Sequence, residues 1–314
     1  MMNTNDAPID EHSFASRGDN RAIITYLWLT VMVVLWGLSW PLTKMALSIV
    51  PPLWLAAIRF GSAAVCLFLF LALRGKLRLP LKQDWPIILS MGGLQMMAFT
   101  GLGMIAMVHT DTSRAVLLAY TTPLWAILMG WLFLRQAPTK IQLIALLLGL
   151  SGIMLICSPS EMDWQAPGVL WGSGLLLIAS ICWSFVILHI RHHHWRSSPL
   201  ALAPWQMLIA CIPLGGSAYY FEGSPLSIPL TLHLFGLLFF IGPIATSVCF
   251  VISAEYGRKI SPFEMSTFTS GVPLVGIVFS MILFGNSMSN AFFTGLALIL
   301  CSVITVALRP RKNS

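Results

Sequence analysis

Charge is what this sequence has least of. Asp, Glu, Lys and Arg make up 9% of its 314 residues, against about 25% in an average soluble domain. A soluble globule cannot cover its surface with so few, and a disordered chain would be polar, whereas 57% of these residues are hydrophobic. Acids are scarcest where the chain is most apolar. Asp111, Glu255 and Glu264 fall near the ends of apolar runs and none lies deep inside one. HExxH, GxSxG and paired aspartates are also missing, which removes the usual nucleophile and metal sets of an intramembrane enzyme. The six cysteines (Cys66, Cys157, Cys182, Cys211, Cys249 and Cys301) lie within apolar runs without CxxC spacing. They read as small packing residues, with no disulfide, metal or cofactor expected. Lys and Arg number 18 for a net charge of +7, spread too thinly for a nucleic-acid footprint.

What is present is apolar length. A bilayer-spanning helix needs about 20 mostly apolar residues. Ten stretches qualify: 25–43, 52–73, 85–108, 113–134, 140–157, 168–190, 200–220, 231–254, 262–284 and 290–308. Residues 1–22 carry acids and amides before any apolar run, unlike a cleaved signal peptide, which opens basic and turns apolar at once. With the N-terminus placed in the cytoplasm, 15 of the 18 basic residues fall on the cytoplasmic side, Lys44 and Arg114 fall opposite, and Arg59 lies within a span. The positive-inside rule therefore expects both termini in the cytoplasm.

The two halves of the chain align with hardly a gap. Trp36-Gly37 matches Trp183-Ser184, Pro52 matches Pro199 and Arg59 matches Gln206, each at an offset of 147. Ala106 and Ala254 stand 148 apart, and from there the offset settles at 150 for Pro123 with Pro273, Gln136 with Asn286 and Ala145 with Gly295. Each copy holds an odd number of spans, so the second must enter the membrane upside down. The expected fold is all-α and integral to the membrane, with ten transmembrane helices as two inverted five-helix repeats. A polar tail occupies 1–24, the first copy 25–157, the second 168–308 and a basic tail 309–314. Inverted copies related by an in-plane pseudo-two-fold axis build many secondary transporters and place the solute site near the midplane, where they meet.

The first span reads LWGLSWPLTKMAL and the second PPLWLAAIRF; the fourth holds SRAVLLAYTTPLWAILMGWLFL and the ninth SPFEMSTFTSGVPLVGIVFSMILFG. With these pieces the chain resembles a ten-helix member of the drug/metabolite transporter superfamily, of the EamA type, over about residues 25–308. The resemblance implies a carrier that exports amino acids, related metabolites or toxic compounds, and the compact form with short loops suggests a bacterial inner membrane. One departure stands out. The family usually places a Gly-Glu step after the fourth and ninth spans, where this chain has Arg135-Gln136 and Gly285-Asn286. Both carboxylates have become neutral amides, which can still bond to backbone at a helix end.

Several residues are candidates for touching a solute. Pro123 and Pro273 lie about mid-span and, lacking N–H, free the carbonyls of Ala119 and Thr269. Freed backbone at that depth must be satisfied by neighbours or line a wet cavity. The hydroxyls of Tyr120, Thr121 and Thr122 in one copy and Thr267, Thr269 and Ser270 in the other serve either purpose. Trp36 and Trp183, with Ser39, Trp40 and Ser184 beside them, are either core or the aromatic walls of a site. Arg59 lies about 10 Å into its span at 1.5 Å per residue, deep enough to mark function by default unless it snorkels outward. Pro123, Pro273, Gln136 and Asn286 are expected as hinges or structural positions. The run Arg191-His192-His193-His194-Trp195 reads as a basic headgroup-facing loop rather than a metal site, because consecutive histidines do not converge and no partner acid or thiol is near.

The leading expectation is therefore a small-molecule carrier that works by alternating access in the lipid bilayer, with Arg59 offering a positive field to a carboxylate. The other classes are an intramembrane enzyme without a recognised motif, against which the missing motifs count, and a membrane scaffold or sensor, against which the twofold repeat counts. Small residues in spans five and ten (Ala145, Gly149, Gly152, Gly295, Ala297, Ser302) are expected to pack the bundle or to form a homodimer seam.

Overall fold

A computed structural model of the chain describes residues 11–135, 137–156, 166–260, 265, 268–269, 271–285 and 288–307. Gln136, Ser270 and Asn286, like Cys157, Glu264 and Thr267, lie outside these residues. Every regular element among the described residues is helical. Seven helical stretches are long and apolar enough to cross a bilayer: Ile23–Leu47, Pro52–Leu73, Lys82–His109, Thr112–Phe133, Val169–His192, Pro199–Glu222 and Leu232–Tyr256. Lys140–Ile156, Gly271–Phe284 and Asn290–Ser302 are shorter apolar helices, at the places of the expected fifth, ninth and tenth spans.

In chain order the helices are α1 (Glu11–Leu47), α2 (Pro52–Leu73), α3 (Trp85–Leu89), α4 (Thr100–His109), α5 (Thr112–Ala119), α6 (Thr122–Leu134), α7 (Lys140–Ile156), α8 (Val169–His192), α9 (Pro199–Glu222), α10 (Leu232–Phe239), α11 (Cys249–Tyr256), α12 (Gly271–Phe284) and α13 (Asn290–Ala307). Local chemistry sets many of their ends. Pro52 and Pro199 each stand first in a helix, where the missing N–H costs nothing. Asp111 caps α5 by accepting from Arg114 N at 3.0 Å, and Thr231 caps α10 by accepting from Leu234 N at 3.1 Å. The start of α2 is capped from afar. The Glu222 carboxylate, at the end of α9, accepts from Leu53 N at 2.8 Å and Trp54 N at 2.9 Å, which favours a negative charge at a helix N-terminus.

Two spans are interrupted by a wider coil. A π-helical segment, Ser90–Phe99, joins α3 to α4, and another, Phe240–Val248, joins α10 to α11. Their first residues stand 150 apart, the offset of the sequence repeat in this region. Matching positions also end helices alike. Arg135 (φ 51°) follows α6 and Gly285 (φ 67°) follows α12, both left-handed, and Arg135 is the one non-glycine with positive φ among the described residues. Glycine takes that conformation freely; arginine does so under strain.

Helix packing pairs the two halves. α2 lies along α9 and α7 along α13; α2 also packs on the second π segment while α9 packs on the first. Small residues let these backbones approach. A Cβ at Gly152 would meet the Gly295 carbonyl at 2.7 Å, and one at Gly295 would meet the Gly152 carbonyl at 2.9 Å. Ser302 Oγ, buried, donates to Ala145 O at 2.5 Å across the same seam. The small residues of spans five and ten thus face each other within one chain.

Candidate functional site

A cavity of about 1630 Å³ runs through the bundle and is walled by both halves. At one end its lining residues Thr43, Met104, Met107 and Leu176 are buried, and the chain is closed there. Lys44 ties that end together, donating from Nζ to the carbonyls of Met107 and, at 2.9 Å, Thr110, which the end of α4 leaves without helical partners. At the other end the cavity reaches exposed Ala137 and Arg191, beside Pro138, Gln142 and Leu188.

Of the residues expected from sequence, Trp36, Ser39, Trp40, Arg59, Tyr120, Thr122, Pro123, Trp183 and Thr269 line this cavity. Trp183 stands edge-on to Phe99 with ring centroids 4.6 Å apart, so the indole is held in place by an aromatic neighbour that is itself part of the wall. Ser39 lines the cavity but its hydroxyl donates to Trp36 O at 2.7 Å.

Thr121, Ser184 and Pro273 stand outside the lining and serve packing. The chain breaks at Tyr120-Thr121, between α5 and α6, just before Pro123. Hydroxyls answer the carbonyls of Leu118, Ala119 and Thr122 there. Thr121 Oγ1 donates to Leu118 O at 2.6 Å and Thr122 Oγ1 to Ala119 O at 2.7 Å. From the facing helix α8, Ser180 Oγ lies 2.9 Å from Leu118 O and Ser184 Oγ 2.8 Å from Thr122 O. Thr121 Oγ1 also accepts from Trp125 Nε1 at 3.0 Å. The proline break is thus pinned to α8 by serines rather than left open to water. Pro273 is buried within α12.

Arg59 points inward. Its Nε donates to Thr246 Oγ1 at 2.9 Å, on the second π segment, and Thr246 passes its own proton to Ile241 O at 2.8 Å, five residues back. Its guanidinium carbon lies 5.9 Å from the centroid of the Phe60 ring. No carboxylate pairs with Arg59 among the described residues: the ion pairs found there are Arg114 with Asp111 and His193 with Asp84. Snorkelling does not describe this side chain, because it reaches across to another helix at the wall of the cavity.

Sequence reasoning missed much of that wall. The first π segment supplies Met91, Gln95, Met96 and Phe99; the second π segment supplies Thr246, and α11 supplies Phe250 and Ser253. The available signal was the glycine pair Gly92-Gly93 matched by Gly242-Pro243 at the repeat offset of 150, marking close approach and an irregular coil in both copies. Sequence proximity also misled at the histidine run. His193 has an acid partner, Asp84, whose Oδ1 is 3.4 Å from Nε2 and 3.3 Å from Arg196 N, tying the loop before α3 to the loop before α9.

A family model described as the EamA-like transporter family matches residues 23–158 and again residues 170–308. The chain is 26% identical over 289 residues to the uncharacterized transporter YvbV of Bacillus subtilis (strain 168), covering 92% of this chain and 93% of that one. It is 25% identical over 284 residues to the uncharacterized inner membrane transporter YedA of Escherichia coli (strain K12), with 89% of each covered. To the probable amino-acid metabolite efflux pump of Salmonella typhimurium (strain LT2) it is 23% identical over 282 residues, covering 87% of this chain and 91% of that one. A solved crystal structure superposes with a TM-score of 0.60 at 18% identity, over 88% of this chain and 96% of its own.

Proposed function

The chain belongs to the EamA-like transporter family, and from that premise we propose that it exports a small metabolite by alternating access through the cavity between its two halves. The observation that carries this reading is the cavity itself: it is closed at the Lys44 end, open at the Arg191 end, and walled by residues of both family-model matches. A carrier needs one chamber that each side of the membrane can reach in turn, and two like halves can exchange the roles of inner and outer gate.

The finer architecture we read as ten spans in two inverted five-helix copies, with both termini in the cytoplasm of a bacterial cell. Three features support it. The π segments recur at the repeat offset, the left-handed turns at Arg135 and Gly285 recur likewise, and α2 on the second π segment is mirrored by α9 on the first. The open end carries Arg191 and lies beside Arg135 and Lys140, so the positive-inside rule makes it the cytoplasmic end and the conformation inward-open. An inward-open chamber is the one an exporter loads. Within it we assign solute contact to Trp36, Trp40, Arg59, Tyr120, Thr122, Trp183 and Thr269, and a structural role to Ser184, Thr121 and the prolines.

The test is efflux from proteoliposomes loaded with small molecules extracted from bacterial cytosol, read by mass spectrometry. A defined set of solutes should leave vesicles holding the native chain. Gly103→Trp should stop them, because Gly103 lines the cavity and has open space around it, so a bulky side chain plugs the chamber without a clash. Efflux profiles identical with those of protein-free vesicles would end the carrier reading.

A further inference from the structure

We infer that the solute is an organic monoanion, a carboxylate on an apolar body of aromatic size, held through Arg59; this rests on the carrier reading and names its substrate class. Two side chains lining the cavity carry formal charge among the described residues, Arg59 within and Arg191 at the mouth, and both are positive. Among the described residues no Asp or Glu lines it. A cation buried among membrane-spanning helices is ordinarily paired with an acid. Among the described residues Arg59 has one hydrogen-bond partner, the neutral Thr246 hydroxyl, and no acid pairs with it.

The hydrogen bonds say how the anion would sit. A guanidinium has five N–H donors in a rigid planar fork. Thr246 takes the one on Nε, and no other described residue accepts from Arg59. The two Nη groups are left as the end of the fork, the geometry that receives both oxygens of a carboxylate. Ammonium groups fare differently, meeting a positive field with no acid to offset it. The cavity that Arg59 faces is lined by apolar, polarizable side chains, among them Trp36, Trp40, Phe99, Trp183, Met96 and Met104. Gln95 adds one polar handle, an Oε1 that is buried and without a hydrogen-bond partner, suited to a single neutral N–H or O–H on the solute. At the entrance Arg191 extends the positive potential outward, which raises the local concentration of anions.

Three probes of one shape isolate the charge: 3-phenylpropanoate, 3-phenylpropanamide and 3-phenylpropylammonium, titrated calorimetrically into the full chain in nanodiscs. The carboxylate should bind at least about tenfold more tightly than the amide, and the ammonium more weakly than either. Arg59→Gln should bring the carboxylate down to the level of the amide, and Arg59→Lys should keep part of the preference, since it keeps the charge but loses the fork. The inference is overturned if the ammonium matches the carboxylate, if the carboxylate fails to bind at millimolar concentration, or if Arg59→Gln keeps the preference. The ranking on the native chain decides the matter even where a variant does not fold. Cytosolic efflux separates the two claims: cations leaving the vesicles would overturn this inference and leave the carrier standing, whereas no efflux at all would remove the carrier itself.

Discussion

Gly242 lies against the backbone of Arg59, so close that a Cβ on the glycine would stand 3.0 Å from the Arg59 carbonyl oxygen and collide with the Ser62 hydroxyl. Gly92 makes the same approach to Gln206, where a Cβ would stand 2.7 Å from that carbonyl. Gly92 and Gly242 are repeat mates at 150 residues, and Arg59 and Gln206 at 147. One contact is therefore made twice with the copies exchanged, each π segment resting on the second helix of the other half. In one version the helix presents a cation to the cavity; in the other it presents an amide that is fully buried, with its Nε2 on Met91 Sδ at 3.3 Å. The two matched contacts thus differ in what they offer the cavity: Arg59 lines it and Gln206 does not.

That close approach predicts which glycines tolerate a methyl group. Gly92→Ala and Gly242→Ala should each destabilise the chain by about 1–3 kcal/mol, because the added atom meets backbone that cannot yield easily. Gly93→Ala should show no such loss, since nothing stands within 4 Å of a Cβ there. Thermal unfolding in detergent, followed by tryptophan fluorescence, separates the three.

A strained turn predicts the opposite sign. Arg135 holds φ 51° where its mate Gly285 holds φ 67°. A left-handed non-glycine costs about 1–3 kcal/mol, while glycine's greater freedom in the unfolded chain costs about 0.5–1 kcal/mol. Arg135→Gly should therefore raise the unfolding free energy slightly, by up to about 1–2 kcal/mol on that difference. Chemical denaturation in mixed micelles reads it, and a drop in stability would show that the Arg135 side chain earns a contact elsewhere.

That the chain is helical and apolar enough to cross a membrane was legible in the sequence, because this depends on quantities that are additive along the chain. Apolar length marks a span, and the drift from 147 to 150 between Trp36/Trp183 and Pro123/Pro273 marks a repeat. The place of Arg59 within an apolar helix was legible in the same way. Its partner was not, because Thr246 is 187 residues away and one threonine in a span carries no signal of what faces it. Ser184 shows the reverse error of scale. A hydroxyl beside a mid-span tryptophan suits a solute equally well, and only the crossing of α8 over the break before Pro123 turns it toward the Thr122 carbonyl. The π segments were missed because periodicity of 3.6 says nothing about an inserted wider turn, although the matched glycines at 92 and 242 stood where the coil widens.

Lys44 stands beside the closed end of the cavity. Its ammonium answers two carbonyls at the end of α4 and lies beside Thr43, which lines the cavity and is buried. Lys44→Met should loosen that end and let the outward-open form be populated. In a chain whose native cysteines have been replaced, Thr43→Cys should then react with a membrane-impermeant maleimide added outside, several-fold faster with Lys44→Met than without it. Equal labelling rates would show that apolar packing alone holds the end shut.

Gly152 and Gly295 decide between two uses of the small-residue faces. A stripe of small residues on a membrane helix often marks a seam between subunits. Here each glycine lies on the other's carbonyl, at 2.7 Å and 2.9 Å for an added Cβ, and Ile299 also crowds Gly152. The stripe is therefore already covered by the chain's own α13. Gly152→Val must push α7 and α13 apart, and it should cost at least about 1–3 kcal/mol by overpacking while leaving the mass of the particle unchanged. Light scattering in a detergent of known bound mass, paired with a denaturation curve, measures both. A seam between two chains would give the contrary pattern, with the particle mass falling by half and the unfolding of each chain scarcely moved, because the valine would then disturb a surface on which the folded monomer does not depend.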